Sequence, residues 1–248
     1  MKVIWLSANK FGYQALITAS KIPELILCGI ITSKEDSPFV IYDKIPQENW
    51  NRFNVDVTKV SSILESLTEI EQMKPDLLVV IGWREIIPLD IIKIPKLGTI
   101  GFHPTLLPYG RGSAPIINTI FECVKKSGVT MFYLDEGLDS GDIIGQEKFS
   151  IDENDYALDI YEKVIEAGKK LIFDYFPLID QGTAPRIPQD NKKAFYFKKP
   201  KLRNNRIDLK KDNPKLIIRK IRALSKPYKG AYIKVHGKKL RIWKAEIE

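Results

Sequence analysis

The chain has 248 residues, 44% of them hydrophobic and 28% charged, enough to bury one large core with a small appendage. Two cysteines and two histidines exclude a disulfide framework and a four-thiolate zinc site, leave no set for a mixed His/Cys metal centre, and point to the reducing cytoplasm. The net charge of +8 divides unevenly: residues 186–248 hold 21 Lys+Arg and 5 Asp+Glu, or +16, against -8 for residues 1–185, an asymmetry that invites a polyanionic partner such as nucleic acid, a membrane surface or a phosphate-bearing small molecule.

Apolar residues 2–7 read as a first buried strand, too short a run for a signal peptide, and no segment reaches the roughly 18 apolar residues of a membrane span. A helix at 12–20, a strand at 25–32, a helix at 61–73, strands at 76–82 and 98–103, a helix at 115–126 and a strand at 130–134 follow. The strands are continuously apolar rather than alternating, which fits burial on both faces. The β-α-β-α order therefore predicts a doubly wound, mainly parallel α/β sheet. From Asn154 onward, Leu158, Tyr161, Ile165, Gly168, Ile172, Tyr175 and Ile179 step by threes and fours, predicting a long amphipathic helix bent or ended near Pro177. After Pro185 the composition shifts, dividing the chain into a catalytic body, 1–185, and a small basic α+β appendage, 186–248. The appendage is expected to hold a helix at 214–224, capped by Asp212 or Asn213, and a hairpin of 230–235 with 239–244 about His236.

Ligands of open α/β sheets gather at the carboxyl ends of the strands. The first strand ends in Ser7-Ala8-Asn9-Lys10-Phe11-Gly12, which has neither a dinucleotide-binding nor a P-loop glycine pattern. The strand at 98–103 ends in His103, followed by a loop rich in Pro and Gly through Arg111, Ser113 and Pro115. Ser113 is placed to cap the next helix, whose amides suit an anion, and Arg111 to add a bidentate phosphate contact. The strand at 130–134 leads into Asp135, Glu136, Asp139 and Asp142. Asp142, beside the apolar pair Ile143-Ile144 where the chain re-enters the interior, is read as the partner of His103.

His103-Pro104-Thr105-Leu106-Leu107-Pro108, then Arg111-Gly112 and Pro115, and later Leu138-Asp139-Ser140-Gly141-Asp142, together resemble the signature of the 10-formyltetrahydrofolate-dependent formyltransferases. Ile207-Asp208-Leu209 and Pro227-Tyr228-Lys229-Gly230-Ala231 are similar to the segment after the catalytic domain in the tRNA and sugar branches. The resemblance implies a Rossmann-like formyltransferase core, with His103 as general acid/base and Asp142 supporting it. It places an oxyanion-binding Asn where this chain has Gly101, so either another donor serves, Asn9 and Asn118 being candidates, or the rate is lower, or the chain binds without turnover. It implies that 10-formyltetrahydrofolate, with no metal, is held near Trp83, Ile86, Ile87, Leu138 and Asp139. Trp83 is a stacking wall or core in equal measure.

For the acceptor, the sugar-nucleotide N-formyltransferases are the nearer resemblance. They imply a nucleotide-linked deoxyamino sugar contacted by Lys10, Thr105, Tyr109, Arg111 and Ser113, with Phe195, Tyr196 and Phe197 as further stacking candidates, and a homodimer. Methionyl-tRNA formyltransferase is the alternative. It is disfavoured by a stretch at 33–44 that is not basic and by a tail that ends soon after its hairpin.

Overall fold

The computed structural model describes residues 1–37, 41–198 and 205–247; residues 38–40 of the non-basic stretch lie outside them. Val3-Ile4-Trp5-Leu6 has no exposed surface, because β1 (Lys2–Ser7) lies inside the sheet between β2 (Ile26–Ser33) and β4 (Leu77–Ile81). β3 (Val57–Val60), β5 (Thr99–His103), β7 (Lys126–Tyr133) and β8 (Ile143–Ser150) complete seven strands in the order β3-β2-β1-β4-β5-β7-β8. The first five in that order pair in parallel; β7 and β8 run antiparallel. This is the doubly wound, mainly parallel architecture expected, with β3 and β8 added and β7 starting at Lys126 rather than 130.

One sheet face carries Trp5, Val79, Ile100 and Phe102 against α1 (Lys10–Ala19), α4 (Pro115–Phe121) and α5 (Ala157–Asp180). The other carries Ile4, Leu78 and Val80 with Ile70 of α2 (Leu67–Met73) and Ile91 of α3 (Leu89–Ile92). This split follows from side chains alternating across each strand. α5 runs through Pro177 to Asp180, since a proline in the last turn forfeits only one bond of the ladder. Its buried stripe adds Ile160, Val164, Leu171 and Phe176 to the expected positions, while Leu158 and Tyr175 are only half-buried.

Residues 186–198, read from composition as the start of the appendage, lie on the body. Ile187 bridges to Ile143, and β9 (Phe195–Phe197) pairs with β6 (Tyr109–Gly112). α6 (Pro214–Leu224) starts as expected, with Asn213 Oδ1 accepting the Leu216 N–H at 2.8 Å and Pro214 in the first turn. The hairpin of β10 (Ala231–Val235) and β11 (Lys238–Ile242) turns on His236-Gly237, both at positive φ. Among the described residues the tail forms no separate core: Ile207, Ile221, Ala223, Leu224 and Ala231 join the main cluster. No helix among the described residues is long and apolar enough to cross a membrane.

Candidate active site

β5 delivers His103 to the carboxyl edge of the sheet, 7% exposed. Gly110, at φ +79, turns its carbonyl back toward the ring, and His103 Nε2 donates to it at 2.8 Å. A carbonyl can only accept, so one proton is fixed on Nε2 and the variable one belongs to Nδ1. Nδ1 faces Asp139 Oδ2 at 3.6 Å, an ion-pair distance too long for a direct hydrogen bond. The same Oδ2 accepts the Gly112 N–H at 2.8 Å, so β6 grips both members of the pair.

The carboxylate at the histidine is therefore Asp139 and not Asp142. Asp142 already belongs to the β7–β8 ladder, its carbonyl accepting the Tyr133 N–H at 2.9 Å. Burial pushes the Tyr133 phenol up in pKa; Arg186, stacked 3.6 Å over its ring, opposes this and Asp142 adds to it. Asp139, at φ +52 on the loop tip, turns back toward β5. Asp135 folds that loop by accepting from the Gly137 N–H at 3.0 Å and the Ser140 hydroxyl at 2.8 Å, while Glu136 is exposed.

Arg111 was expected to reach a phosphate, but it is 1% exposed and fully engaged. Its Nε and Nη2 donate to Gln189 Oε1 at 3.1 and 2.7 Å, and Nη1 to the Tyr196 hydroxyl at 3.0 Å. Gln189 in turn donates from Nε2 to the carbonyls of Asp139 at 3.0 Å and Gly141 at 2.7 Å. A buried cation with no carboxylate partner among the described residues thus braces the acidic loop through a neutral amide. Gln189 was not found from sequence, since nothing local to it marks a contact 50 residues away.

Other expected contacts divide. Ser113 is exposed and caps nothing: the N-cap of α4 is Ala114, at positive φ, without a side-chain bond. Thr105 is buried with its hydroxyl sealed and unpartnered, so it does not face a ligand. Ile87 belongs to the second core, and Trp83 packs against that core with Nε1 sealed. Ile86 and Leu138, 84% and 55% exposed, remain bare at the ends of β4 and β7. Lys10 is half-buried at the start of α1. Tyr109 is exposed and stacks on Phe195 with centroids 5.0 Å apart; burial raises its pKa and Glu122 adds to this.

A second buried group near the start of α1 also escaped the sequence. The Tyr161 hydroxyl accepts the Phe11 N–H at 2.9 Å and donates to the Asp43 carboxylate. Burial first, then Asp43, pushes its pKa far up, so it stays a neutral donor pinning the 43–45 segment to α1.

Position 101 is bare: a Cβ there would come to 2.9 Å from Leu134 Cδ2 and 3.2 Å from Phe132 Cε1. Asn118, one substitute donor considered, is spent on the carbonyls of Ser113 at 2.9 Å and Lys198 at 3.4 Å.

A doubly wound sheet carrying a histidine–carboxylate pair at its carboxyl edge defines an α/β enzyme. Residues 2–175 match the family model described as formyl transferase, and residues 201–248 match the formyl transferase C-terminal domain. The chain belongs to the formyl transferase family. It is 36% identical over 258 aligned residues to the methionyl-tRNA formyltransferase of Carboxydothermus hydrogenoformans, covering 100% of this chain and 80% of that protein. Six other methionyl-tRNA formyltransferases are matched over 56% to 62% of their own length, so the chain spans under two thirds of those six. In fold it is similar to a 4-N formyltransferase from Francisella tularensis, with TM-score 0.79 and 22% identity over 100% of this chain and 98% of that one. It is also similar to an N-formyltransferase from Helicobacter canadensis in complex with folinic acid and dTDP-3-aminofucose, with TM-score 0.73 and 23% identity over 96% and 86% of the two chains.

Proposed function

We propose that the chain is a cytoplasmic N-formyltransferase that moves a formyl group from 10-formyltetrahydrofolate to the amino group of a nucleotide-linked deoxyamino sugar. The observation that carries the reaction is the His103–Asp139 pair, with His103 buried and both members gripped by β6 at the end of a central strand. The donor fits the exposed apolar side chains of Ile86 and Leu138, which suit a flat heteroaromatic ring. When bound, it supplies an electrophilic formyl carbon and a nitrogen leaving group.

His103 does the proton work at Nδ1, because Nε2 is committed to the Gly110 carbonyl. With Nδ1 free, the ring accepts a proton as the attacking amine becomes an ammonium; it returns one to the departing nitrogen. Asp139 stabilises the intervening imidazolium across 3.6 Å and holds its ring plane. The Gly112 N–H keeps the carboxylate aimed. Arg111 and Gln189 keep the loop that bears it in place.

The nucleotide-sugar reading draws support from the stacked, exposed Tyr109 and Phe195 at the entry to β6, a platform for a base. Methionyl-tRNA is the second reading, favoured by the 36% identity to the C. hydrogenoformans enzyme. It is also favoured by the hairpin face on which Lys234 pairs with Lys239 and Tyr232 with Arg241. Like charges placed opposite one another are unfavourable without a polyanion. Incubating the protein with 10-formyltetrahydrofolate and either UDP-, dTDP- and CMP-linked amino sugars or charged initiator methionyl-tRNA, and following tetrahydrofolate release, separates the two. Release with a sugar nucleotide is expected. Release with tRNA alone overturns the sugar reading, and folate binding without release on either marks a non-catalytic member.

A further inference from the structure

Formyl transfer builds negative charge on the formyl oxygen, and a site that lowers that barrier needs a fixed donor aimed at it. The obvious donors beside His103 are spent. The Gly112 N–H serves Asp139, Asn118 Nδ2 serves two carbonyls, and Gly101 has no side chain, its place being filled by Phe132 and Leu134. Thr105 Oγ1 and Trp83 Nε1 lack partners but are sealed from solvent.

Asn9 differs from all of these. It closes β1 and caps α1, and its residue is only 8% exposed. Oδ1 accepts the Gly12 N–H at 2.9 Å and the Ser7 hydroxyl at 3.2 Å. With the oxygen so identified, the orientation of the amide is set, and Nδ2 points away from the helix. Among the described residues Nδ2 donates to nothing, and it is not one of the sealed orphan atoms.

The amide lies over Gly82, at the end of β4 and at φ +66, where a Cβ would come to 2.2 Å from Nδ2. Glycine at 82 is what admits it. β4 and β5 are parallel neighbours, paired up to Val80 and Gly101, so Gly82 and His103 both lie where these adjacent strands end. An oriented, unspent N–H therefore sits one strand away from the imidazole, at the same edge of the sheet.

We propose that Asn9 is a catalytic residue whose Nδ2 donates to the formyl oxygen as charge develops there. The assignment rests on the formyl-transfer reading above. Asn9→Asp keeps an oxygen to cap Gly12 and replaces the donor by an acceptor, so the fold is preserved; Asn9→Ala removes both. Both variants are expected to lose about 10²–10³-fold in kcat, with KM for the donor little changed and with Asn9→Asp melting as the wild type does. A folded Asn9→Asp protein with wild-type kcat overturns the assignment.

A second readout needs no turnover. The probe is a folate analogue bearing an aldehyde that hydrates to a gem-diol, compared by calorimetry with the same folate lacking the aldehyde. Asn9→Asp is expected to weaken the first about 10²-fold and leave the second unchanged. Equal binding of both to the variant and the wild type overturns the role of Asn9 alone. A wild type that binds neither overturns the folate reading and this assignment with it.

Discussion

His103 meets a carbonyl at one nitrogen and a carboxylate at the other, so the two acids of the following loop are not equivalent. Asp139→Asn is expected to lower kcat on the order of 10²-fold or more, and Asp142→Asn to lower it less, as measured by tetrahydrofolate release at fixed donor and acceptor. A larger loss at Asp142 would return the role to that residue. The sequence narrowed the partner to a four-acid stretch and favoured the acid beside the apolar pair. The choice turns instead on a backbone torsion, φ +52 at Asp139, and on an N–H from 27 residues earlier, neither of which has a local signature. Gly101 was legible as an oddity, yet the reason it is tolerated lies on β7. Gly101→Asn would press on the Phe132 ring and on Leu134; overpacking of this kind costs about 1–3 kcal/mol. A melting temperature lowered by about 2–4 °C per kcal/mol is expected, and an unchanged melting curve would show that the pocket yields.

Elements that are long and apolar were readable: β1, β2, β4, β5, α1 and α5 all lie where hydrophobic runs and stripes put them. The short strands β6 and β9 were not, because Tyr109-Gly110-Arg111-Gly112 and Phe195-Tyr196-Phe197 are strands only by virtue of each other. Yet these two elements hold the loop of Asp139, through Gly112 directly and through Arg111 and Gln189 indirectly. Gln189→Ala removes both the acceptor for Arg111 and the two bonds to the loop. A fall in kcat of up to about 10²-fold is expected, the scale of a roughly 1 Å displacement of a reacting group, with KM for the donor changed much less. Matched losses in both constants would instead point to a general loss of the folded site.

Across the whole molecule, part of the basic tail that first invited a polyanion is engaged inside the protein, while the hairpin lysines stay exposed. Arg219 donates to the Phe121 carbonyl at 3.2 Å, Arg222 to the Asp155 carbonyl at 2.8 Å, and Lys220 to the Asp212 carboxylate at 2.5 Å. The two arginines stitch the basic tail to the body, and the lysine bond closes within the tail itself. The Lys220 bond, followed by the Asp208 N–H, holds the Asp212 carboxyl below its usual pKa. A lowered folded pKa contributes stability above the unfolded value that is lost as pH falls through the folded one. Lys220→Met is therefore expected to lower the urea midpoint at pH 7 and to leave a smaller difference from the wild type near pH 2; an equal difference at both would remove Asp212 from the account.

The Arg111–Gln189–Asp139 strut has a consequence in time. Its hydrogen bonds join residues 78 and 50 positions apart, closures that come late because chain entropy must be overcome before they form. During synthesis the sheet through β8 can form while the loop of Asp139 still lacks its brace. The Gly112 N–H is available to the acid from the start, but the Arg111–Gln189 brace closes only once residues 187–197 have emerged and paired with β6 and Ile143. The loop of the acid is therefore the last part of the sheet's edge to be fully braced.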